Sequence, residues 1–432
     1  MSQHAAAAKS RADLHAIFLP CASGVEPLLA QEVERLTGSA PESTRGGVWA
    51  MGDESTAMLL NLESRLAQRV LWPLIGGPYR DEHDLYALAC RVPWERWITP
   101  EQTLRVDVSA QRSPLTSLNF AALRIKDAVC DTLRQILGAR PSVDTHRPDL
   151  PIALFVGPEH ATLYIDTSGE ALFKRGWRED KGEAPLKETL AAAMLAATGW
   201  QGRAEDGPLL DPCCGAGTIV IEAAQIACGI AAGGQRHFAF EQLLPFKPFA
   251  AQWRDLQRAA RARVRPSAVP LFAGDVSFRM TDFASRNAER AGVRQAIEFK
   301  TVDALQRMAP APSGTLIMNP PYGERISPKG RGAAGNQGGP VAAAPQMSRE
   351  AFEGGGSSAE FFGGLAAHWK RHYSGWTAWL LSPDMKLPTQ MRLKESRRVP
   401  LWNGPIECRL FRFDMTVGAG PGGRAPISLQ DS

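Results

Sequence analysis

The chain has 432 residues, of which 44% are hydrophobic and 22% charged, and its formal net charge at pH 7 is +4. These values are ordinary for a globular protein and predict two or three domains. No apolar run approaches the roughly 20 residues of a membrane-spanning helix, and residues 1–11 lack the apolar core of a secretory signal. Seven scattered cysteines without a C-x-x-C pair favour reduced thiols and no metal site. We therefore expect a cytoplasmic protein without a membrane partner.

The charge is divided unevenly along the chain. Residues 1–185 carry 20 Lys and Arg against 24 Asp and Glu, whereas residues 186–432 carry 29 against 21. The basic excess lies in residues 247–300 and 386–412. A basic stretch commonly forms a solvated face, but next to a candidate site it makes binding of a polyanion an alternative.

The first 168 residues predict a mixed α+β region that follows a disordered tail at residues 1–14. Residues 104–110 alternate at period two, as half-buried strands do, and residues 118–137 have the apolar spacing of a long helix. Two apolar segments around Gly157-Pro158 predict a hairpin. The predicted strands lie at 17–20, 104–110, 152–156 and 161–166, and the helical or periodic stretches at 24–36, 57–71, 84–91 and 118–137.

From residue 186 the pattern changes to alternating strands and helices, which predicts βαβ units and a parallel sheet. Ligands of such sheets bind at the carboxyl ends of the strands. The insertion at residues 327–358 is rich in Gly, Ala and Pro and is predicted to be a flexible loop, with a lid over the site as the alternative. Residues 418–432 are predicted to be a disordered tail. The predicted strands are 209–210, 271–273, 297–300, 315–318 and 377–381, and the helices 186–198, 219–228, 250–264 and 278–291.

A glycine turn follows the first of these strands, with the sequence Asp211-Pro212-Cys213-Cys214-Gly215-Ala216-Gly217-Thr218. Glycines in such a turn let the backbone approach a ligand closely. Val220 replaces the third glycine of the dinucleotide fingerprint, which disfavours a nicotinamide or flavin. A preceding aspartate suits an ammonium, so the turn favours S-adenosylmethionine. The alternative is a turn that only packs a helix onto the sheet.

Two further aspartates end the next strands. Asp275 is positioned to accept both ribose hydroxyls of a nucleoside, and Asp303 to meet the adenine amino group. Aspartate at the end of a strand is also a common turn residue and helix cap. Their order after the glycine turn favours the cofactor roles.

The segment Asn319-Pro320-Pro321-Tyr322 is the predicted catalytic motif. The Asn319 side-chain oxygen and the Pro320 carbonyl can each accept an N–H from an exocyclic amine and aim its lone pair at a sulfonium methyl. The prolines fix the backbone, and Tyr322 offers a ring for a flipped base. Positioning and electrostatics supply the catalysis. No cysteine lies near Asn319 in the sequence, so nitrogen methylation is favoured; the alternative is a simple turn.

These motifs resemble those of the THUMP-domain class I RNA methyltransferases, specifically the large-subunit ribosomal RNA guanine-N2 methyltransferases. The resemblance covers roughly residues 16–415. It rests on the order and spacing of residues 24–29, 122–128, 174–178, 184–190, 211–218, 319–325 and 403–408.

The resemblance implies an N-terminal ferredoxin-like segment (15–56), a THUMP RNA-binding domain (57–168), a linker (169–185) and a Rossmann-like methyltransferase domain (186–417). It implies methylation of guanine N2 in 23S ribosomal RNA, and no second activity, since the chain ends before the second methyltransferase domain of some bacterial members. The predicted cofactor residues are Asp211, Pro212, Gly215, Gly217, Thr218, Asp275 and Asp303, and the predicted catalytic residues Asn319, Pro320, Pro321 and Tyr322.

Predicted RNA contacts lie on the long helix and at the domain junction, where a solvated basic turn is the alternative. They are Arg124, Lys126, Lys174, Arg175 and Arg178. The alternative functions are guanine-N2 methylation of transfer RNA, adenine-N6 methylation of DNA, methylation of a glutamine side chain, and a non-catalytic RNA-binding assembly factor. The sequence does not indicate an oligomeric state.

Overall fold

A computed structural model describes residues 14–180, 186–320 and 358–415. The two predicted tails, apart from Leu14, and residues 327–357 of the predicted insertion lie outside these residues. In the described part of the chain, no helix is both long and apolar enough to cross a membrane.

The N-terminal half forms a mixed sheet covered by helices, as predicted. The sheet order is β2-β3-β1-β4-β8-β7-β5-β6 for strands β1 (His15–Pro20), β2 (Glu42–Thr44), β3 (Gly47–Gly52), β4 (Leu71–Pro78), β5 (Thr103–Ala110), β6 (Ser142–Val143), β7 (Leu150–Val156) and β8 (His160–Asp166). The helices are α1 (Glu26–Thr37), α2 (Glu54–Glu63), α3 (Glu82–Ala89) and α4 (Leu118–Leu137). Because β4 joins β1 to β8, the predicted ferredoxin-like and THUMP segments share one sheet. The sheet therefore does not mark a boundary between them, and the predicted boundary at residues 56/57 stays a prediction.

Helix α4 has the predicted bounds because local signals define both of its ends. The Ser117 hydroxyl accepts a hydrogen bond from the Phe120 amide (3.2 Å), and Gly138 ends the helix in the left-handed conformation. Ile125, Val129 and Leu133 lie one helical turn apart and are fully buried.

The second half is a doubly wound sheet of the predicted Rossmann-like class. Its order is β11-β10-β9-β12-β13-β15-β14, for strands β9 (Leu209–Asp211), β10 (Leu271–Asp275), β11 (Ile297–Thr301), β12 (Gly314–Met318), β13 (Trp376–Ser382), β14 (Arg397–Asn403) and β15 (Ile406–Asp414). The helices are α5 (Glu188–Thr198), α6 (Thr218–Ala227), α7 (Ala250–Ala262), α8 (Phe278–Arg290), α9 (Ser358–His372) and α10 (Leu387–Met391). Strands β9 to β13 are parallel, and β15 runs antiparallel to both neighbours.

Two elements differ from the sequence prediction. The periodic stretch at residues 57–71 ends as a helix at Glu63, and strand β4 begins at its last residue, Leu71. The hairpin of β14 and β15 was not predicted, because its arginines made residues 386–412 look only basic. Cys408 and Leu410 are fully buried on one face of β15 and Phe411 and Phe413 on the other, while the Arg409 and Arg412 side chains are partly exposed.

Candidate cofactor and substrate site

The predicted site residues meet at one edge of the second sheet. Leu210 in β9 pairs with Phe272 in β10 on one side and with Leu316 in β12 on the other. Asp211 and Asp275 are the last residues of their strands, and Asn319 directly follows β12. Since these strands are parallel, their carboxyl ends lie together, and the cofactor motif therefore neighbours the catalytic motif.

The two glycines of the turn have different surroundings. Gly215 (φ 51°) and Gly217 (φ 90°) both adopt the left-handed conformation that favours glycine. A Cβ on Gly217 would lie 3.0 Å from the Ala284 Cβ and 3.0 Å from the Ile221 Cδ1, whereas one on Gly215 would meet no atom within 4 Å. Gly217 thus permits close packing of α6 against α8, and Gly215 leaves open space beside the turn.

Asp211 is a buried carboxyl with an unused acceptor. The residue is 1% exposed, its Oδ1 accepts a hydrogen bond from the Cys213 amide (3.3 Å), and its buried Oδ2 has no hydrogen-bond partner. Burial, reinforced by the charge of Asp275, raises the pKa of Asp211 well above its usual value. A buried carboxyl without a partner is costly, and a cationic ligand would satisfy it. The site therefore fits the ammonium of S-adenosylmethionine.

Asp275 and Asp303 also make the turn contacts expected of strand-end aspartates. Asp275 accepts hydrogen bonds from the amides of Gly215 (3.0 Å) and Ser277 (2.9 Å), and Asp303 accepts one from the Leu305 amide (2.9 Å). Both residues are partly exposed, and a carboxylate has about four acceptor positions. Their ribose and adenine roles therefore stay predictions.

Two exposed apolar side chains lie next to Asp275 and were not among the predicted site residues. Val276 is 52% exposed and Phe278 is 75% exposed, directly after the strand end. Apolar side chains beside a predicted ribose contact offer a surface for a flat ring such as adenine. In the sequence, these residues are visible only as apolar residues that follow an acidic strand end. The same pattern is typical of a helix start, so it does not by itself indicate a ligand contact.

The described part of the catalytic motif consists of Asn319, which is partly buried, and Pro320, which is buried. Pro321 and Tyr322 lie outside the described residues. Cys213 and Cys214 belong to the cofactor turn, and burial raises the pKa of both thiols well above the usual value. Protonated thiols are poor nucleophiles, which agrees with the preference for nitrogen methylation.

Three of the predicted RNA contacts keep some accessible surface. The Arg124 guanidinium lies 4.4 Å from the centre of the Tyr86 ring, and Lys126 pairs with Asp127 at 2.6 Å. Lys174 is half exposed beside Glu170. Their contacts with RNA stay predictions.

The structure corrects the prediction for the other two arginines. Arg175 is 2% exposed, and its guanidinium donates to Glu222 Oε1 (3.0 Å) and to the carbonyls of Leu172 and Arg65. The Arg178 side chain is 10% exposed and contacts Glu188 and Thr218. Neither presents a surface to RNA phosphates, because contacts from distant parts of the chain bury both.

Comparison with known families identifies three consecutive segments. Residues 16–71 match the RlmL ferredoxin-like domain, residues 79–166 match the THUMP domain, and residues 175–334 match the RMKL-like methyltransferase domain. The chain is 36% identical over 418 residues to a protein of Syntrophotalea carbinolica named "Ribosomal RNA large subunit methyltransferase K/L", covering 95% of this chain and 55% of that protein. The chain spans about half the length of the curated relatives it matches.

Solved structures share the fold over nearly the whole chain. A possible methylase from Clostridium difficile 630 superposes with a TM-score of 0.78 at 27% identity, covering 96% of this chain and 100% of that one. SMU.472, described as "a putative methyltransferase complexed with SAH", has the same TM-score and coverage at 24% identity, which shows the fold alone.

The second half of the chain has a Rossmann-like fold and matches a methyltransferase domain over residues 175–334. The three matched segments follow one another along the chain in the order that the sequence motifs predict for a THUMP-domain class I methyltransferase.

Proposed function

We propose that this chain transfers a methyl group from S-adenosylmethionine to the exocyclic N2 amine of a guanine in 23S ribosomal RNA. The observation that carries the proposal is the adjacency of β9 and β12. Asn319 and Pro320, which follow β12, therefore lie next to the turn that begins at Asp211, whose Oδ2 has no hydrogen-bond partner.

One group of residues binds the cofactor, and a second group positions the target amine. Asp211 holds the cofactor's ammonium, and the turn at Gly215 leaves room for its backbone contacts. When bound, the cofactor supplies an electrophilic methyl group. Asn319 and Pro320 accept the N–H groups of the target amine and hold its lone pair toward that methyl, which requires no strong base.

The choice of ribosomal RNA is supported by the family of the N-terminal half. A THUMP domain favours RNA over DNA or a protein side chain, and the relative from Syntrophotalea carbinolica carries a ribosomal RNA name. Phosphate contacts give such a domain its affinity without reading the sequence. This substrate implies action in the cytoplasm.

The test combines a reconstituted reaction with a mapping experiment. The purified full chain is incubated with radiolabelled S-adenosylmethionine and, separately, 23S ribosomal RNA, transfer RNA and duplex DNA. Methylated nucleosides are then identified by mass spectrometry. We expect N2-methylguanosine in 23S ribosomal RNA only. Product in transfer RNA alone would support the transfer RNA alternative, and N6-methyladenine in DNA would contradict the proposal.

The Asn319→Ala variant tests the mechanism. Methyl transfer should fall by a factor of roughly 100 or more, as expected when a transition-state hydrogen bond is lost. Binding of RNA and of S-adenosylmethionine should remain as in the wild type, which serves as the control for folding. Unchanged methylation would contradict the role of Asn319. Methylation of the RNA without added S-adenosylmethionine would contradict the proposal that this compound is the methyl donor.

A further inference from the structure

Arg178 approaches the cofactor turn from the linker side. Its Nε donates to Glu188 Oε1 at 2.7 Å, and its Nη2 donates to the Thr218 hydroxyl at 2.8 Å. Thr218 is the first residue of α6 and directly follows Gly217. The guanidinium is therefore anchored on two sides, next to the helix start that closes the glycine turn.

The third nitrogen of this guanidinium has no partner. The Arg178 side chain is only 10% exposed, and its Nη1 is buried and has no hydrogen-bond partner. A buried donor without a partner loses its hydration without compensation. Glu188 is already engaged by Nε, so the unused donor requires an additional acceptor. A guanidinium is suited to a carboxylate because its donors form a planar fork.

An unused acceptor lies before the same turn. Asp211 immediately precedes it and has a buried Oδ2 without a partner, while Arg178 contacts its last residue, Thr218. The turn is thus flanked by one unsatisfied anionic group and one unsatisfied cationic group. An amino acid zwitterion has the complementary pair, an ammonium and a carboxylate.

We propose that Arg178 binds the α-carboxylate of the cofactor's methionine part, opposite Asp211, which binds its α-ammonium. The inference rests on the proposed function, because it assumes that S-adenosylmethionine occupies the glycine turn. The α-helix start at Thr218 adds favourable electrostatics for a carboxylate, since its amides carry partial positive charge. Arg178 thereby selects ligands with an intact amino acid end.

The test compares ligands that differ only at the carboxylate. Isothermal titration calorimetry measures binding of S-adenosylmethionine and of decarboxylated S-adenosylmethionine, which keeps the amine but lacks the carboxylate. The full-length wild type should bind the decarboxylated ligand roughly 10- to 100-fold more weakly, the usual effect of losing one charge-assisted hydrogen bond. Compared with the wild type, the R178M variant should bind S-adenosylmethionine more weakly by the same factor. It should no longer discriminate between the two ligands.

The control variant is R203M. Arg203 pairs with Asp206 at 3.0 Å and lies before β9, at the amino edge of the sheet, away from the site. It should leave both affinities unchanged. Because R178M leaves Glu188 buried without its partner, the R178M/E188Q double variant removes the whole ion pair and gives a second measurement if the single variant fails to fold.

Each outcome has a defined meaning. Loss of discrimination in R178M or in the double variant, with binding of the decarboxylated ligand preserved, supports the inference. Wild-type affinity of R178M for S-adenosylmethionine, or an equal loss for both ligands, overturns it and assigns Arg178 to packing. Such a failure leaves the proposed function intact as long as methylation still depends on Asn319. If the wild type binds neither ligand, both proposals fall.

Discussion

The Arg175 Nε lies 3.0 Å from Glu222 Oε1, and both side chains are almost completely buried. Arg65, from the N-terminal half, donates to the other oxygen of the same carboxylate at 3.1 Å. Glu222 lies one turn after Thr218 on α6. The carboxylate therefore joins the N-terminal half and the linker to the helix that closes the cofactor turn.

Replacing Glu222 with glutamine is expected to destabilise the protein strongly. The change leaves two buried guanidinium groups without their counter-charge, which costs about 3–5 kcal/mol in comparable buried pairs. The free energy of unfolding in urea, followed by circular dichroism, measures the effect. In the control Glu205→Gln, the lost pair with Arg203 is exposed and should cost less than about 1 kcal/mol. Equal effects of the two variants would contradict the structural role of Glu222.

The glycines of the turn should separate stability from cofactor binding. Gly217→Ala places a Cβ against Ala284 and Ile221 in a left-handed residue, and we expect it to lower the free energy of unfolding by roughly 1–3 kcal/mol. Gly215→Ala meets open space, so its cost in stability should be smaller, while its methyl group obstructs the cofactor and lowers the affinity. Urea unfolding and calorimetric titration with S-adenosylmethionine distinguish the two effects. Intact cofactor affinity in Gly215→Ala would argue against binding at this turn.

Cofactor binding should depend on pH through Asp211. Burial raises the pKa of the Asp211 carboxyl, and an ammonium ligand binds its ionised form. Wherever Asp211 is protonated in the free protein, it must release its proton on binding, so affinity should increase as pH rises through the raised pKa. The trend holds below the pKa of the ligand's own amino group, about 8.

Titrations in two buffers of different ionisation enthalpy measure this proton release directly. The Asp211→Asn variant should bind S-adenosylmethionine more weakly and lose the pH dependence. Affinity that falls with rising pH in the wild type would contradict the assignment of the ammonium to Asp211.

Lys126 and Lys174 should contribute to RNA binding through phosphates. Replacing either with alanine is expected to weaken binding of 23S ribosomal RNA fragments several-fold and to reduce the salt dependence of the logarithm of the binding constant by about 0.7–0.9 per contact. Filter binding at several salt concentrations provides the measurement. The control is Arg203→Ala. Arg203 precedes β9, at the amino ends of the parallel strands and opposite the candidate site, so this variant should change neither the affinity nor the salt dependence. A lysine variant that behaves like Arg203→Ala makes no phosphate contact.

Local patterns were sufficient to predict the strand ends at which the candidate site lies. The positions of Asp211, Asp275 and Asn319 at the ends of strands were predicted because apolar runs, glycines and prolines mark strand ends within a few residues. The parallel arrangement followed from the alternation of strands and helices, and it brought these strand ends together. The antiparallel hairpin of β14 and β15 was missed because its arginines mask the alternation of buried residues.

The sequence by itself determined the strand ends, the position of the glycine turn and the family resemblance. Only the tertiary structure decided which charged groups are buried. Arg175 and Arg178 belong to one basic run in the sequence, yet their partners Glu222 and Thr218 lie 47 and 40 residues away. Burial is a property of contacts between distant segments, and residue type alone does not report it. For that reason, the sequence did not show that Arg175 is buried against Glu222 and that Arg178 contacts Thr218.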